Sequence, residues 1–535
     1  MKTGLVVFLI LTAGAAIRLY GIDFGLPFLY DVDEPVFVNR AFHLLAHKTL
    51  DPGWFGHPGS VTIYCLALLF AIYSAVGVAV GHFADFAAVE TIARLDPAEF
   101  YLAGRLMIAA FGLGVIYLTF ELTQKILHRG AGYIASLLVA MAPLAIELSR
   151  LIRTDIQVTF FLLLILFFCL RIVERGLLRD YIGAGLALGF AVATKYPAVI
   201  GCLPIVVASI RPNGNDGRFR DIAIRPLLIA GAAAVVGTFI ASPFLFIDID
   251  TVLRDLGKEA RTEHLSATSE GFWSSLFWYV TDVSRRNFTI IGLLLAIVGV
   301  IGLLRSGRKS GVLLLLSFVV PFLLFISSLN LRWERWLMPA IPVIAMFCAI
   351  GVALTWYAIQ RLPLLMVRRA VQVLFAVVLL ASGSTLIHAD YLRASELSRG
   401  DTRTQAGNWI LANIPDGSVL MMERGTPQLP RGKYVLLCEQ DRHVEDFGSL
   451  GVSNAKYQRV NGVIGQLGSV EEMLNSAAQY VVISNEYDRR LAEGEKFSAD
   501  LLIYDYLFKQ ASLVHVSVPV QGRLAGPPIR VFKIK

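Results

Sequence analysis

The chain has 535 residues, of which 56% are hydrophobic and 17% charged, with a mean hydropathy of +0.63. That balance is too apolar for a soluble protein and points to many membrane-spanning runs. The net charge of +7 does not imply a nucleic-acid partner, because the Lys and Arg residues gather in short loops between apolar runs, as the positive-inside rule requires.

The first apolar run, 4–22, has a short basic start and no small-residue cleavage site, so it reads as a retained span with a cytoplasmic N-terminus. Residues 23–60 form an acidic outer loop. Within it, Asp33 and Glu34 precede Pro35, a residue suited to the first turn of a helix running toward Lys48. The positive end of that helix favours ionised carboxylates, the form a general base requires. Helix capping by either residue is an equally available reading.

Basic loops at 125–129, 171–180, 211–225, 305–309 and 361–369 are assigned to the cytoplasm. Single spans are then expected at 101–122, 132–148, 156–173, 226–246, 288–304, 312–326, 337–359 and 371–387. Residues 181–210 must go out and return as two short helices, with Lys195-Tyr196-Pro197 at the outer turn. The apolar segment 61–81 lies between two acidic stretches, so it is expected to be membrane-embedded or re-entrant, with a bend covered by protein; a full crossing there is the alternative. The total is eleven crossings.

Beyond 387 the composition becomes that of a soluble domain. An amphipathic helix is expected at 401–414 and a second one at the capping box Ser469-Val-Glu-Glu472; strands are expected at 418–423, 433–439, 480–485, 515–519 and 529–535. The chain therefore divides into a transmembrane catalytic domain, 1–389, and an extracytoplasmic α/β domain, 390–535. Cys65, Cys169, Cys202 and Cys348 sit in apolar runs and Cys438 stands alone, so no disulfide framework is spelled out.

Ionisable residues concentrate at the outer ends of the spans: Arg105, Glu147, Arg150, Arg153, Asp155, Lys195, His264, Arg332, Glu334 and Arg335. At membrane depth such groups usually face a polar cavity. Cations converging with a carboxylate pair suit a substrate that is both lipid-borne and anionic, and a polyprenyl-phosphate sugar fits that description. Each residue has a plainer reading as an ordinary ion pair or a snorkelling arginine. His57 and His264 are weak candidates for a divalent metal, since two imidazoles lack third and fourth ligands.

Six pieces in order resemble the GT-C glycosyltransferases, in the branch holding protein O-mannosyltransferases and the lipid A aminoarabinose transferase. They are Asp-Val-Asp-Glu-Pro (31–35), His-Pro-Gly-Ser-Val-Thr-Ile-Tyr (57–64), Gly-Arg-Leu (104–106), Ser-Arg-Leu-Ile-Arg-Thr-Asp (149–155), Gly-Leu-Ala-Leu-Gly-Phe-Ala-Val-Ala-Thr-Lys-Tyr (185–196) and Arg-Trp-Leu-Met-Pro (335–339). The resemblance implies a GT-C fold and an inverting transferase acting on the extracytoplasmic face of a prokaryotic inner membrane. It would move a sugar from a polyprenyl-phosphate donor to a lipid, glycan or protein acceptor. Asp33, with Glu34 beside it, is the expected base. Lys195, Arg153, Arg105, Arg332 and Arg335 are expected around the donor phosphate, and Asp155, Tyr196 and Arg150 in the cavity. Where the aminoarabinose transferases usually carry an acidic residue and Lys-Pro-Pro, this chain has Gly-His-Pro-Gly, which leaves the donor sugar and any metal at His57 and His264 open. A polysaccharide polymerase or ligase, or a lipid-linked sugar flippase, is the alternative class.

Overall fold

The computed structural model describes residues 2–535 except 57–58, 214–217, 260–263, 265–266, 307–308, 431, 438–456, 459–466 and 468. Among the described residues, eight helices are long and apolar enough to cross a membrane, and the chain is an integral membrane protein. The first helix, α1 (Lys2–Leu19), leads into the acidic loop. That loop carries α2 (Glu34–His47) and is followed by α3 (Ser60–Ala79) and α4 (Phe86–Leu95).

α3 is unbroken, which corrects the expected bend within 61–81. Glycine enters it only near its end and proline not at all, and a break in apolar surroundings would strand backbone donors and acceptors. Its two ends nevertheless meet the same face of the bundle. The Gly59 N–H donates to Thr194 O (3.3 Å) and Ser60 Oγ lies 2.7 Å from Ser242 Oγ. At the other end His82 Nε2 is 3.0 Å from Glu99 Oε2, at the start of α5 (Ala98–Ile126). Leu68, Ile72 and Val76 point outward from it.

The expected span 132–148 is two pieces, α6 (Arg129–Ala140) and α7 (Pro143–Leu148). Pro143 has no N–H to continue the ladder, and the freed Leu144 N–H donates to the buried Asn287 side chain at 3.0 Å. The chain then runs through α8 (Thr154–Arg175) and α9 (Leu178–Thr194), turns at Lys195, and returns through a 3-10 turn (Tyr196–Gly201) and α10 (Cys202–Ala208). Strands β1 (Ile210–Asn213) and β2 (Arg218–Ile222) form a hairpin in the basic loop expected there. After it come α11 (Ile224–Ala241), α12 (Phe244–Ile247), α13 (Ile249–Glu259), α14 (Phe272–Trp278), α15 (Ser284–Arg305), α16 (Lys309–Ser327), α17 (Ile341–Gln360) and α18 (Leu365–Arg399).

Small residues let the passes close on one another, as expected where lipid offers no hydrophobic drive to association. A Cβ on Gly185 would run into Ala230 O, on α11, and one on Gly351 into Leu295 O, on α15. The segment Glu334–Gln360, with 89% of its most apolar window buried, is the centre of the bundle, whereas α18, with 6%, lies at its margin.

α18 has 35 residues, about 52 Å at helical rise and longer than a bilayer core of about 30 Å. Its last turns therefore project into the C-terminal region, where Ser395 Oγ donates to Gly522 O at 3.1 Å. There α19 (Thr402–Asn413) is capped by Asp401, and Ser469 caps Val470–Asn475. Among the described residues five strands form one sheet in the order β5 (Val435–Leu437), β3 (Val419–Met422), β7 (Tyr480–Ile483), β9 (Ile529–Lys533), β8 (Ser512–Ser517), and β4 (Leu429–Pro430) pairs with β6 (Tyr457–Gln458) apart from it. β3 is parallel to both of its neighbours, and β9 is antiparallel to β7 and β8. The period of two sends Leu420, Met422 and Val482 onto α19, and Met421, Val481 and Ile483 onto the helix Ser498–Gln510. The short helices Glu486–Glu493 and Ser498–Gln510 lie outside the expected elements.

Candidate active site

The acidic loop is built around three carboxylates with three different jobs. Pro35 starts α2 and Asp33 occupies its N-cap position, yet the Asp33 side chain makes no cap bond. Asp31 does the capping instead: its Oδ1 accepts the N–H groups of Asp33 (2.9 Å) and Glu34 (3.1 Å). The Asp33 carboxylate is thereby left to face the cavity, where it accepts from Arg335 and lies 3.4 Å from Arg153.

Glu34 goes the other way. It is fully buried, takes both arms of Arg105 at 2.8 and 2.7 Å, and accepts the Ile152 N–H at 3.0 Å. Arg105 also donates to Ile22 O (2.8 Å) and Phe24 O (2.9 Å) and lies over the Phe24 ring. Neither residue lines the cavity. The expectation of Glu34 as a catalytic group and Arg105 as a phosphate ligand is therefore corrected: a bidentate pair closed on both sides by protein has no face left for substrate.

Arg332 is a third correction. Its guanidinium turns to Ser274 (3.2 Å), Glu270 (3.5 Å) and the Trp278 ring, away from the cavity lining. One turn of the 3-10 helix Glu334–Ala340 brings Arg335 to Asp33 instead.

Lys195 sits in extended backbone between α9 and the 3-10 turn, and its Nζ is 2.7 Å from Oδ1 of the buried Asp155. Both line the cavity, as do Arg150, Arg153, Tyr196 and His264. Arg153 gives 2.6 Å to Asp31; burial works against its charge, but Asp31 and Asp33 outweigh burial and its pKa is raised. Arg150 donates to the Ile17 and Arg18 carbonyls at the end of α1. Tyr196 donates to Phe55 O at 2.9 Å, and the His264 ring meets Trp333 edge to face. His57 lies outside the described residues. Among the described residues no three His, Cys, Asp or Glu side chains gather where they could hold a metal ion, and the carboxylates of Asp31, Asp33 and Asp155 are each held by Arg or Lys. This donor set does not fit a divalent cation.

The cavity measures about 2480 Å³ and, among the described residues, is lined by twelve Arg or Lys against eight Asp or Glu. One apolar arm runs between α8 and α16, past Val158, Leu162, Phe322 and Ile326. A second runs between α15 and α18, past Ile290, Val378 and Ala381. α15 is kinked beside this arm at Thr289, which has a φ of 60° and whose Oγ1 lies 2.5 Å from Ser382 Oγ.

The upper wall belongs to the C-terminal sheet region, a placement that no local sequence signal foretells. Gln428 reads Leu29 on both sides, accepting its N–H (3.3 Å) and donating to its carbonyl (2.9 Å). Arg403 lies 3.8 Å over the Tyr30 ring, and Thr404 Oγ1 is 2.8 Å from Tyr30 Oη. The segment leading to Asp31 and Asp33 is thus clamped from a site about 400 residues later.

Behind that wall Glu423 is fully buried, with Tyr504 and the Ser484 N–H (2.6 Å) donating to it and Arg490 3.7 Å away. Burial dominates and pushes its pKa up to about 7, against those hydrogen bonds.

A family model described as dolichyl-phosphate-mannose-protein mannosyltransferase matches residues 100–246, from α5 to α12. No curated protein matches the chain. Among solved structures it is similar to ArnT from Cupriavidus metallidurans in the apo state, with 13% identity, a TM-score of 0.53, and coverage of 99% of this chain and 98% of that one. The same protein bound to undecaprenyl phosphate gives 14%, 0.54, 99% and 98%. The apo oligosaccharyltransferase of Archaeoglobus fulgidus gives 12%, 0.53, 91% and 71%. At these identities the likeness is one of fold, and the fold is the GT-C fold.

Two measurements separate the roles assigned above. Glu34→Gln leaves Arg105 buried without a counter-charge, so it should lower global stability by about 3–5 kcal/mol, read as a drop in melting temperature; an unchanged melting temperature would contradict the structural role. Glu423 binds its proton more tightly folded than unfolded. Its contribution to stability is therefore complete below the ordinary value of 4.5 and lost as pH rises through about 7. Between pH 5 and pH 8, thermal melts of the wild type should decline more than those of Glu423→Gln, and parallel curves would refute this.

Proposed function

We propose that the protein is an inverting glycosyltransferase that takes a sugar from a polyprenyl-phosphate donor and adds it to a hydroxyl-bearing acceptor on the extracytoplasmic face. The observation that carries this reading is Asp33 itself: a carboxylate freed from capping and aimed, with Arg153 and Arg335, into a cavity with an apolar floor and a cationic wall. The likeness in fold to ArnT, whose structure was solved with undecaprenyl phosphate, and the match to a mannosyltransferase family model support the same donor class.

In this reading the prenyl chain lies in the arm between α8 and α16, and its phosphate lies by Lys195 and Arg335. The acceptor O–H attacks the anomeric carbon from the face opposite the phosphate while Asp33 takes its proton. The new C–O bond forms as the bond to the phosphate oxygen breaks, which inverts the anomeric centre. The leaving polyprenyl phosphate keeps the electron pair and is stabilised by the cations, so no general acid is needed. Arg335, with five donors, holds the Asp33 carboxylate in place and has N–H groups left for a phosphate oxygen. No step uses a metal.

The orientation rests on charge. The end of the bundle away from the site carries the pairs Lys125–Glu174 and Arg171–Asp180 and the basic ends of α15 and α17, which the positive-inside rule assigns to the cytoplasm. The N-terminus is then cytoplasmic, and the site and the C-terminal sheet are outside. A flippase would need a charged path reaching both faces, whereas here the cavity charges gather at one.

Asp33→Asn keeps the size of the side chain and removes its basicity. Turnover by purified enzyme should fall at least about a hundredfold, the lower end of general-base contributions, with donor affinity and melting temperature nearly unchanged; Lys195→Ala should instead weaken donor binding. Near-normal turnover in Asp33→Asn would overturn the assignment.

A further inference from the structure

The C-terminal region holds a buried cluster of charges that the transfer chemistry does not use. Glu423, directly after β3, is enclosed by Tyr504 and Asp500 of the helix Ser498–Gln510, by Ser484 after β7, and by Glu486 and Arg490 of the helix Glu486–Glu493. Around it, Tyr487 packs on the Tyr504 ring at 5.0 Å, Arg489 reaches Glu486 only at 3.9 Å, and Arg424 is exposed. Among the described residues, three carboxylates thus share one guanidinium: Arg490 lies 3.2 Å from Glu486, 3.6 Å from Asp500 and 3.7 Å from Glu423. A single cation does not balance three charges held away from water, so a proton is needed in the cluster. Glu423 is the place for it, being the most deeply buried of the three and the least closely paired.

Glu423 is also the root of the loop that ends at Gln428. Its carbonyl accepts the Thr426 N–H (3.3 Å) and Oγ1 (2.6 Å), while Ser484 Oγ lies 3.1 Å from its carboxylate and 2.6 Å from Arg424 O. At the far end of the loop Gln428 holds both backbone groups of Leu29, four residues before Asp33. Two short stretches of chain, 423–428 and 29–33, therefore connect the cluster to the base.

We infer that the loop 423–428 is a proton-sensitive brace and that Gln428 is a positioning residue for the base: with a proton on Glu423 the loop holds Leu29 and keeps Asp33 aimed into the cavity, and loss of that proton loosens the hold. Burial keeps the Glu423 pKa at about 7 in the braced state, above its ordinary 4.5. The brace is therefore complete below 4.5 and weakens as pH rises through about 7. Once ionised, Glu423 stands against Glu486 and Asp500 with Arg490 already shared, and the repulsion acts at the root of the loop. In the orientation proposed above, the medium outside the membrane sets this proton, so external pH reaches Asp33 through the C-terminal sheet. This inference rests on the reading of Asp33 as the base.

The test is amide hydrogen exchange on full-length protein in phosphatidylcholine nanodiscs, reading the Leu29 N–H from overlapping peptides across 24–34. Each rate is taken relative to unfolded protein at the same pH, so that intrinsic exchange cancels. In the wild type, protection should fall at least about tenfold between pH 5.5 and pH 8.5, as linkage to one proton requires. Glu423→Gln should keep the protection at both values and Gln428→Ala should lack it at both. Glu486→Gln, which removes a neighbouring carboxylate, should move the midpoint to lower pH. Peptides from α9 should show no such fall, and undecaprenyl phosphate binding at pH 5.5 should be the same in every variant, reporting that each is folded. Protection independent of pH in the wild type would overturn the inference, as would an equal fall in Glu423→Gln, full protection in Gln428→Ala, or a fall shared by α9. Failure of the wild type to bind undecaprenyl phosphate would instead count against the proposed function.

Discussion

The buried ion pair between Glu34 and Arg105 is the constraint on which the candidate active site depends. It ties four parts of the chain together: the loop leaving α1 through the carbonyls of Ile22 and Phe24, the start of α2, the first turns of α5, and the turn before α8 through the Ile152 N–H. Such a pair is not by itself a source of net stability, because desolvating both charges offsets their attraction. Its value here is geometric. With Glu34 fixed by two parallel bonds and a backbone donor, the residue before it in the chain has little freedom, and Asp33 is presented to the cavity.

The same economy of roles extends along the motif. Asp31 satisfies the backbone donors at the start of α2 and binds Arg153, so Asp33 has no structural duty at the helix end. The clamp from the other side is equally specific, since Gln428 satisfies both backbone groups of Leu29 and Arg403 covers Tyr30. The C-terminal sheet is thus a wall of the site and a brace for its acidic loop. A saccharide-sized cavity requires such a wall, because a bundle of spans ends flat at the membrane surface.

Most of the helical architecture could be read from the sequence, because long apolar runs and the placement of Lys and Arg obey simple rules. The outer turn at Lys195 and the capping box at Ser469 followed from local chemistry and are present. The break before Pro143 is not visible in run length, although proline within a span is its usual cause. The bend expected in 61–81 was wrong because a parity argument demanded that the segment not cross, and an unbroken helix with both ends on one face meets that demand equally well.

In the site, residue type was a better guide than residue position. Asp33, Arg153, Lys195 and Arg335 do share one cavity. Glu34, Arg105 and Arg332 carry the same charges but spend them on protein partners, and no spacing rule distinguishes a buried pair from a substrate ligand when the partners are 71 residues apart. The contribution of Arg403 and Gln428 is invisible for the same reason: it depends on contacts across nearly the whole chain.

The central claim is that a lipid phosphate sits between Asp33 and the apolar arm of α8 and α16. A cryo-EM structure of the full-length protein in nanodiscs with undecaprenyl phosphate tests it most directly. Phosphate density is expected in contact with Lys195 and Arg335, with the first isoprene units against Val158, Leu162 and Phe322. Phosphate bound outside this cavity, or in it with the chain leaving between α15 and α18, would contradict the account.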